Sequence, residues 1–294
     1  MRVFVTGASG FVGRAVVEDL LAAGHQVVGL ARSDDSAAAL IAAGAEAHRG
    51  DLSDPGALAA AAAQADGVIH LAFIHDFSQY QANIDTDRVA VEAMLGALAG
   101  TGKPFVGTSG TLMLVPGRLA TETDKAAKYG DANTRGDTES VITGADGVRG
   151  SVIRLAPSVH DAGDHGFVPR MVDAARKHGY AAYVGDGANR WSAVHRSDAA
   201  TLYRLALERG EAGSAFHGVA EQGVAIRDIA TAIGEGLGLP VRSIGPEEAP
   251  GYFGFLAMFA GSDNPASSAL TREKLGWNPT GPGLLDDIRA NYLD

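Results

Sequence analysis

Residues 1–13 read MRVFVTGASGFVG, a short apolar run that ends in Thr6 and three spaced glycines, Gly7, Gly10 and Gly13, before an alanine-rich stretch over 14–23. A strand that enters a glycine turn and leaves as a helix forms a seat for a dinucleotide pyrophosphate. The first glycine permits the tight turn and the second lets the backbone approach the phosphates. The third lets helix and strand pack closely, with the helix N-terminus facing the negative charge. A second apolar run over 26–30 follows where a βαβ unit needs its next strand. The same turn with no ligand is a plain strand-to-helix connection, and the elements on either side of it are what favour the dinucleotide.

Working outward, apolar runs at 3–6, 26–30, 67–72, 104–108 and 151–155 alternate with helical stretches at 14–23, 36–43, 55–64, 84–99 and about 130–143. Such alternation, with strands apolar on both faces, predicts an α/β fold: a Rossmann-type doubly wound parallel sheet. Asp54 followed by Pro55 is a helix start. Beyond Pro157 the alternation weakens, with helices expected at 196–208 and 226–237 and a return to the sheet at 191–195. The expected division is a dinucleotide-binding domain over 1–157 with a return segment at about 191–210. A smaller C-terminal substrate-binding lobe is then built from 158–190 and 211–294.

The 294 residues carry a formal net charge of −11 and offer no basic patch, which argues against a nucleic-acid partner. With no cysteine there is no disulfide, thiolate metal site or cysteine nucleophile. The first strand is too short for the apolar core of a signal peptide, and no apolar run is long enough to span a bilayer. A cytoplasmic protein acting on a small molecule, with no membrane partner, is expected. His75, His160 and His165 lie near carboxylates but match no metal-ligand spacing, so no metal is expected.

Seven motifs now stand in order: TGASGFVG at 6–13, GDLSD at 50–54, HLA at 70–72, TSGT at 108–111, RLAPSV at 154–159, GDGANRWSAVHRSDAA at 185–200 and LGWNPT at 275–280. In this order and spacing the chain resembles the extended short-chain dehydrogenase/reductases, the NAD-dependent epimerase/dehydratase family. The resemblance implies a bound nicotinamide cofactor and a cleft between two lobes. It implies that Gly7, Ser9, Gly10, Phe11, Val12 and Gly13 meet the pyrophosphate, and that Asp51 and Leu52 meet the adenine. It places Leu71, Ala72 and Phe73 beside the ribose and nicotinamide, and Pro157, Ser158 and Val159 at the carboxamide. Asp51 has a competing role as a turn cap.

The second strand ends in Ala31, Arg32 and Ser33, where an NAD-preferring enzyme usually carries an acidic residue for the ribose 2′-hydroxyl. A guanidinium and a hydroxyl suit a 2′-phosphate, so NADP is expected over NAD, with Arg14 as an additional contact. The alternative is that Arg32 is an ordinary surface cation beside Asp34 and Asp35.

The family's Tyr-x-x-x-Lys motif is missing. Counting back from Glu139, the tyrosine falls at Asp131 and the lysine at Arg135, in the sequence DANTR. The chain is thus similar to the atypical extended subgroup that lacks the active-site tyrosine. Tyr129, two residues upstream, faces about 200° away on a continuous helix. Arg135 is left to bind ribose hydroxyls, or to make an exposed helical ion pair with Asp131. Its pKa above about 12 bars it from proton transfer near neutral pH. Ser109 or Thr111 is expected to hydrogen-bond the substrate carbonyl, unless both merely cap the strand end. The proton then comes from water or a histidine, with His75 at the carboxyl edge of the sheet ahead of His165.

Arg190 is expected either to grip an anionic substrate or to stack on Trp191. Phe167, Tyr252, Phe253, Phe255, Met258 and Phe259 read as an apolar wall of the substrate site, or as ordinary lobe core. The expected activity is NADPH-dependent reduction of a small carbonyl compound, or the reverse oxidation of an alcohol. An epimerase or dehydratase using the same chemistry transiently, and a non-catalytic NADP-sensing regulator, are the alternatives. A homodimer is expected through the helices over 84–99 and 130–143, with Ala90, Ala93 and Ala97 either at that contact or packed on the sheet.

Overall fold

The computed structural model describes residues 1–74, 79–114, 116–126 and 134–293. Six strands follow one another from the start of the chain: β1 (Arg2–Thr6), β2 (Gln26–Ala31), β3 (Glu46–Arg49), β4 (Gly67–His70), β5 (Pro104–Gly110) and β6 (Arg149–Leu155). Between them run α1 (Phe11–Ala22), α2 (Asp34–Ala42), α3 (Pro55–Ala63), α4 (Tyr80–Leu98) and α5 (Arg135–Thr143). After β6 come β7 (Ser158–His160), α6 (Phe167–His178), β8 (Ala181–Val184), β9 (Arg190–His195) and α7 (Arg196–Arg209). β10 (Ser214–Gly218), β11 (Glu221–Ala225), α8 (Ile226–Leu237) and β12 (Val241–Ile244) precede several short helices.

Seven strands form one parallel sheet in the order β10-β6-β5-β4-β1-β2-β3. β1 lies between β2 and β4, so the winding reverses there and a crevice opens at the carboxyl ends of β1 and β4. The glycine turn leaves β1 at that crevice. β3 escapes the sequence reading because Glu46, Ala47, His48 and Arg49 form an edge strand with no continuous apolar run. α5 begins at Arg135 because Thr134 caps it: the Thr134 hydroxyl accepts from the Asp137 N–H while the Asp137 carboxylate accepts from the Thr134 N–H. The expected start near residue 130 lies outside the described residues, as do Tyr129 and Asp131.

One expectation is corrected here. β9 does not return to the large sheet; it sits in a three-stranded sheet between β11 and β7. The seventh strand is β10, parallel to β6, with Phe216 buried beneath it. α7 does cover the large sheet, and Thr201 and Arg204 both donate to the Asp19 carboxylate of α1. Separate apolar clusters fill the two faces of the large sheet, and a third forms the core of the second lobe. Ala90 is buried and Ala97 packs on the core beneath the sheet, so the alanine stripe of α4 serves packing within the chain. No helix among the described residues is long and apolar enough to cross a membrane.

Candidate functional site

The turn after β1 leaves no room for a side chain at Gly7 or Gly13. Gly7 has φ +68°, and a Cβ there would lie 2.7 Å from the Ala72 nitrogen. A Cβ on Gly13 would lie 2.0 Å from the Gly7 carbonyl oxygen. The Gly10 N–H donates to that oxygen at 3.0 Å, and no side chain caps α1. The first N–H groups of α1 are therefore left for a ligand at the point where the helix dipole is positive. Phe11, Val12 and Ser9 line this cradle, whose shape fits a dinucleotide pyrophosphate. Arg14 braces the turn by donating from Nε to the Ser9 carbonyl at 2.9 Å, instead of reaching toward a 2′-phosphate.

A buried relay that the sequence reading missed holds the cradle from below. Thr6 Oγ1 lies 2.7 Å from His70 Nδ1 and accepts from the Ala72 N–H, while His70 Nε2 lies 3.0 Å from the Asp87 carboxylate. These contacts tie β1, β4 and α4 together. The histidine of the HLA motif was the available signal.

At the end of β2, Arg32 is exposed and makes no ion pair among the described residues, whereas Asp34 pairs with Arg49 at 3.4 Å. Ser33 is the N-cap of α2: its hydroxyl accepts from the Ser36 N–H and donates to the Ser36 hydroxyl at 3.1 Å. Asp51 accepts from the Ser53 N–H at 2.9 Å, and this bond leads the effects holding its carboxyl below the usual range. The turn-capping role is thus real. Leu52 is buried in the core.

The carboxyl end of β5 gathers the remaining residues. Arg135, the first residue of α5, donates to the Thr108 carbonyl at 2.9 Å, and its guanidinium lies 4.3 Å over the Phe73 ring. Thr108 donates to the His70 carbonyl and meets the Tyr203 hydroxyl at 2.8 Å. Burial pushes the Tyr203 phenol far up, so it stays neutral. Ser109 is 4% exposed and its hydroxyl has no hydrogen-bond partner among the described residues. Thr111 is fully buried and donates its hydroxyl proton to Asn264 at 3.0 Å, while its carbonyl accepts from the same side chain. That proton is committed, so of the two expected hydroxyls only Ser109 is available. Leu71 and Ala72 pack at the crevice, and Ser158, beside Pro157 and Val159 at β7, is buried with a hydroxyl that has no partner among the described residues. Behind these, Arg154 of β6 forms a buried ion pair with Glu139 of α5.

Most described histidines are occupied. His160 is buried with Nδ1 at 2.8 Å from Asp287, a structural role. His165 is exposed, and its ring stands edge-on to Phe11 at 6.0 Å. Arg196 lies 4.7 Å over the other contact surface of Phe11 and pairs with Asp161. His75 and Asp76 lie outside the described residues.

In the second lobe the pleat of β9 turns Arg190 outward, where its backbone N–H, Nε and guanidinium all donate to Asp263. Its guanidinium is held by Asp263 and does not stack on Trp191. Trp191 points inward, 1% exposed, 5.4 Å from Phe167, and Phe167 stacks on Phe259 at 5.4 Å. Trp191 bridges to Asn264, the residue that holds Thr111, so this aromatic cluster adjoins the end of β5. Trp191, Tyr252 and Phe253 belong to one buried lobe core, where Tyr252 packs on His178 and Tyr180, while Phe167, Phe255 and Phe259 are half-buried against it. Met258 is 75% exposed.

The profile of the NAD dependent epimerase/dehydratase family matches residues 3–135. A protein of uncharacterised function from Schizosaccharomyces pombe is 47% identical over 292 residues, 99% of each chain. The 2-alkyl-3-oxoalkanoate reductase of Stenotrophomonas maltophilia is 33% identical over 234 residues, 75% of this chain and 69% of that protein. Among solved structures, the dTDP-glucose 4,6-dehydratase of Streptomyces venezuelae with NAD bound superposes with a TM-score of 0.77 at 20% identity, covering 99% of this chain and 96% of that one.

Proposed function

The chain belongs to the NAD-dependent epimerase/dehydratase family, and from that premise we propose that it is an NADPH-dependent oxidoreductase that reduces a ketone of apolar or aromatic character. The observation that carries this reading is the half-buried Phe167, Phe255 and Phe259, backed by the buried Trp191 near the end of β5, with Arg190 occupied by Asp263. Such a wall binds a carbon skeleton, and Arg190, the expected grip for a substrate phosphate, is engaged by Asp263. The relative that reduces a 3-oxoalkanoate supports the same direction.

The cofactor, held by the glycine cradle with its 2′-phosphate at Arg32, supplies a hydride at the nicotinamide when bound. The chain's own residues do the rest. Ser109 donates its unengaged hydroxyl to the ketone oxygen. Arg135, anchored on Thr108 and Phe73, orients the ribose hydroxyls from the place of the family's lysine. Neither residue releases a proton near neutral pH. Solvent or His75 therefore protonates the product oxygen.

The test is a panel of alkyl and aryl ketones with NADPH, followed at 340 nm. Ser109→Ala should lower kcat by about 10²-fold, in the range for losing one donor to a developing oxyanion. His75→Ala should lower it by roughly 10²–10⁴ if that imidazole is the acid, with Tyr129→Phe as the control. Tight NADPH binding with no turnover of any ketone overturns the reading in favour of a cofactor-sensing protein.

A further inference from the structure

We propose that the second lobe carries a binding site for an apolar carboxylic acid, in which the half-buried Phe167, Phe255 and Phe259, backed by Trp191, take the carbon skeleton and Arg170 takes the carboxylate. The reacting carbon of such an acid rests on the ketone reading above, so the substrate class is a keto acid or its hydroxy acid.

Arg170 lies three residues beyond Phe167 on α6, so the two side chains share one side of the helix. Its guanidinium sits 5.0 Å over the Phe255 ring. Phe255 in turn meets Phe167 at 6.2 Å and Phe259 at 6.3 Å, which makes Arg170 the polar edge of the aromatic cluster. Arg170 is exposed and makes no ion pair among the described residues, unlike Arg190, Arg196 and Arg154, each of which has a carboxylate partner. A planar guanidinium backed by a ring and left without an anion is well formed for a carboxylate.

A second observation points to a ligand at the inner end of the same cluster. Trp191 Nε1 is buried and has no acceptor among the described residues. Orphaned buried donors are rare in folded proteins, and a ligand oxygen would satisfy this one. The cluster is continuous with the chemistry at both ends. His165, two residues before Phe167, meets Phe11 of the cofactor cradle, and Ser192, next to Trp191, lies 3.4 Å from the Thr111 hydroxyl at the end of β5. An acid lying along this wall therefore spans from Arg170 toward Ser109. In a chain of net charge −11, an anionic ligand also needs a local unpaired cation.

The experiment uses the full chain loaded with NADP+. Binding of the unreactive 3-phenylpropanoate is measured by calorimetry, and oxidation of 3-hydroxy-3-phenylpropanoate is compared with that of its methyl ester. The wild-type protein should bind 3-phenylpropanoate and favour the free acid over the ester. Arg170→Gln should weaken acid binding and raise its KM by about tenfold or more, the lower end for a charged hydrogen bond at an exposed position, with the ester unchanged. Equal use of acid and ester, equal losses for both in Arg170→Gln, or no binding of 3-phenylpropanoate would overturn the acid site. If neutral ketones are reduced in that case, the ketone reading stands without it. Arg170-dependent binding of 3-phenylpropanoate with no turnover of any ketone or alcohol would leave the acid site standing and remove the ketone reading.

Discussion

Alanine placed in turn at Gly10 and Gly13 should separate the two jobs of the glycine turn. At Gly13 the added Cβ would lie 2.0 Å from the Gly7 oxygen, 2.8 Å from the Gly7 carbon and 2.9 Å from the Ala8 Cα, all backbone atoms with nowhere to go. Ordinary contact begins near 3.4 Å, so α1 must back away from β1 by more than an ångström. Overpacking of this kind costs about 1–3 kcal/mol or more, and about 2–4 °C in Tm per kcal/mol for a chain of this size. Gly13→Ala should therefore melt several degrees lower and also bind NADPH poorly. At Gly10 the added Cβ has a single near neighbour, the Gly7 oxygen at 3.2 Å, and φ is −74°. Alanine is allowed there, and its gain of about 0.4–1 kcal/mol from the unfolded chain offsets the mild crowding. The melting temperature should barely move. The methyl group nevertheless occupies the space through which phosphate oxygens approach the first N–H groups of α1. Each lost charge-assisted bond costs about 1.5–3 kcal/mol, roughly tenfold or more in Kd. Fluorescence titration with NADPH and thermal melting, run on both variants, read the two effects apart. A Gly10→Ala protein that binds NADPH as tightly as the parent would refute the phosphate cradle.

Arg32→Ala should weaken NADPH by about 1.5 kcal/mol, roughly tenfold, and leave NADH unchanged; equal losses for both in parallel titrations would remove the 2′-phosphate assignment. Glu139→Gln strands the buried Arg154 guanidinium, which should cost about 3–5 kcal/mol in urea unfolding, whereas a change within about 0.5 kcal/mol would show that the pair is solvated. Burial leads the effects that hold the Asp164 carboxyl above its usual range, against the Gly166 N–H and the Tyr292 hydroxyl. Its protonated form favours the fold, so its contribution is fully present below the ordinary carboxylate pKa and is lost as pH rises through the raised value. Asp164→Asn should therefore be more stable than the parent at about pH 7, with the advantage shrinking toward about pH 4; a variant less stable at neutral pH would contradict this.

Local chemistry made much of the fold readable. The β1 turn, the alternation through β6 and the Asp54–Pro55 helix start are each written in a few adjacent residues, because glycine spacing, two-sided apolar strands and caps are short-range requirements. The resemblance of the ordered motifs pointed to the same family that the comparisons identify. β3 and β10 were less legible. Glu46–Arg49 is an edge strand with too little apolar character to stand out, and Ser214–Gly218 becomes the seventh strand only because β6 leaves an edge for it to pair with.

The sequence by itself determined that a glycine turn opens α1 and that no acidic residue ends β2. Only the tertiary structure separates Ser109 from Thr111, because the difference is a partner 153 residues away: Asn264 takes the Thr111 hydroxyl, and among the described residues nothing takes that of Ser109. It likewise turned Arg190 outward onto Asp263 and Trp191 inward, since strand pleating assigns opposite faces to neighbours and the pairing of β9 with β7 and β11 sets which is which. Residue type and spacing announce what a chain can bind. Whether a given hydroxyl or guanidinium is free to bind it depends on partners that only folding brings within reach.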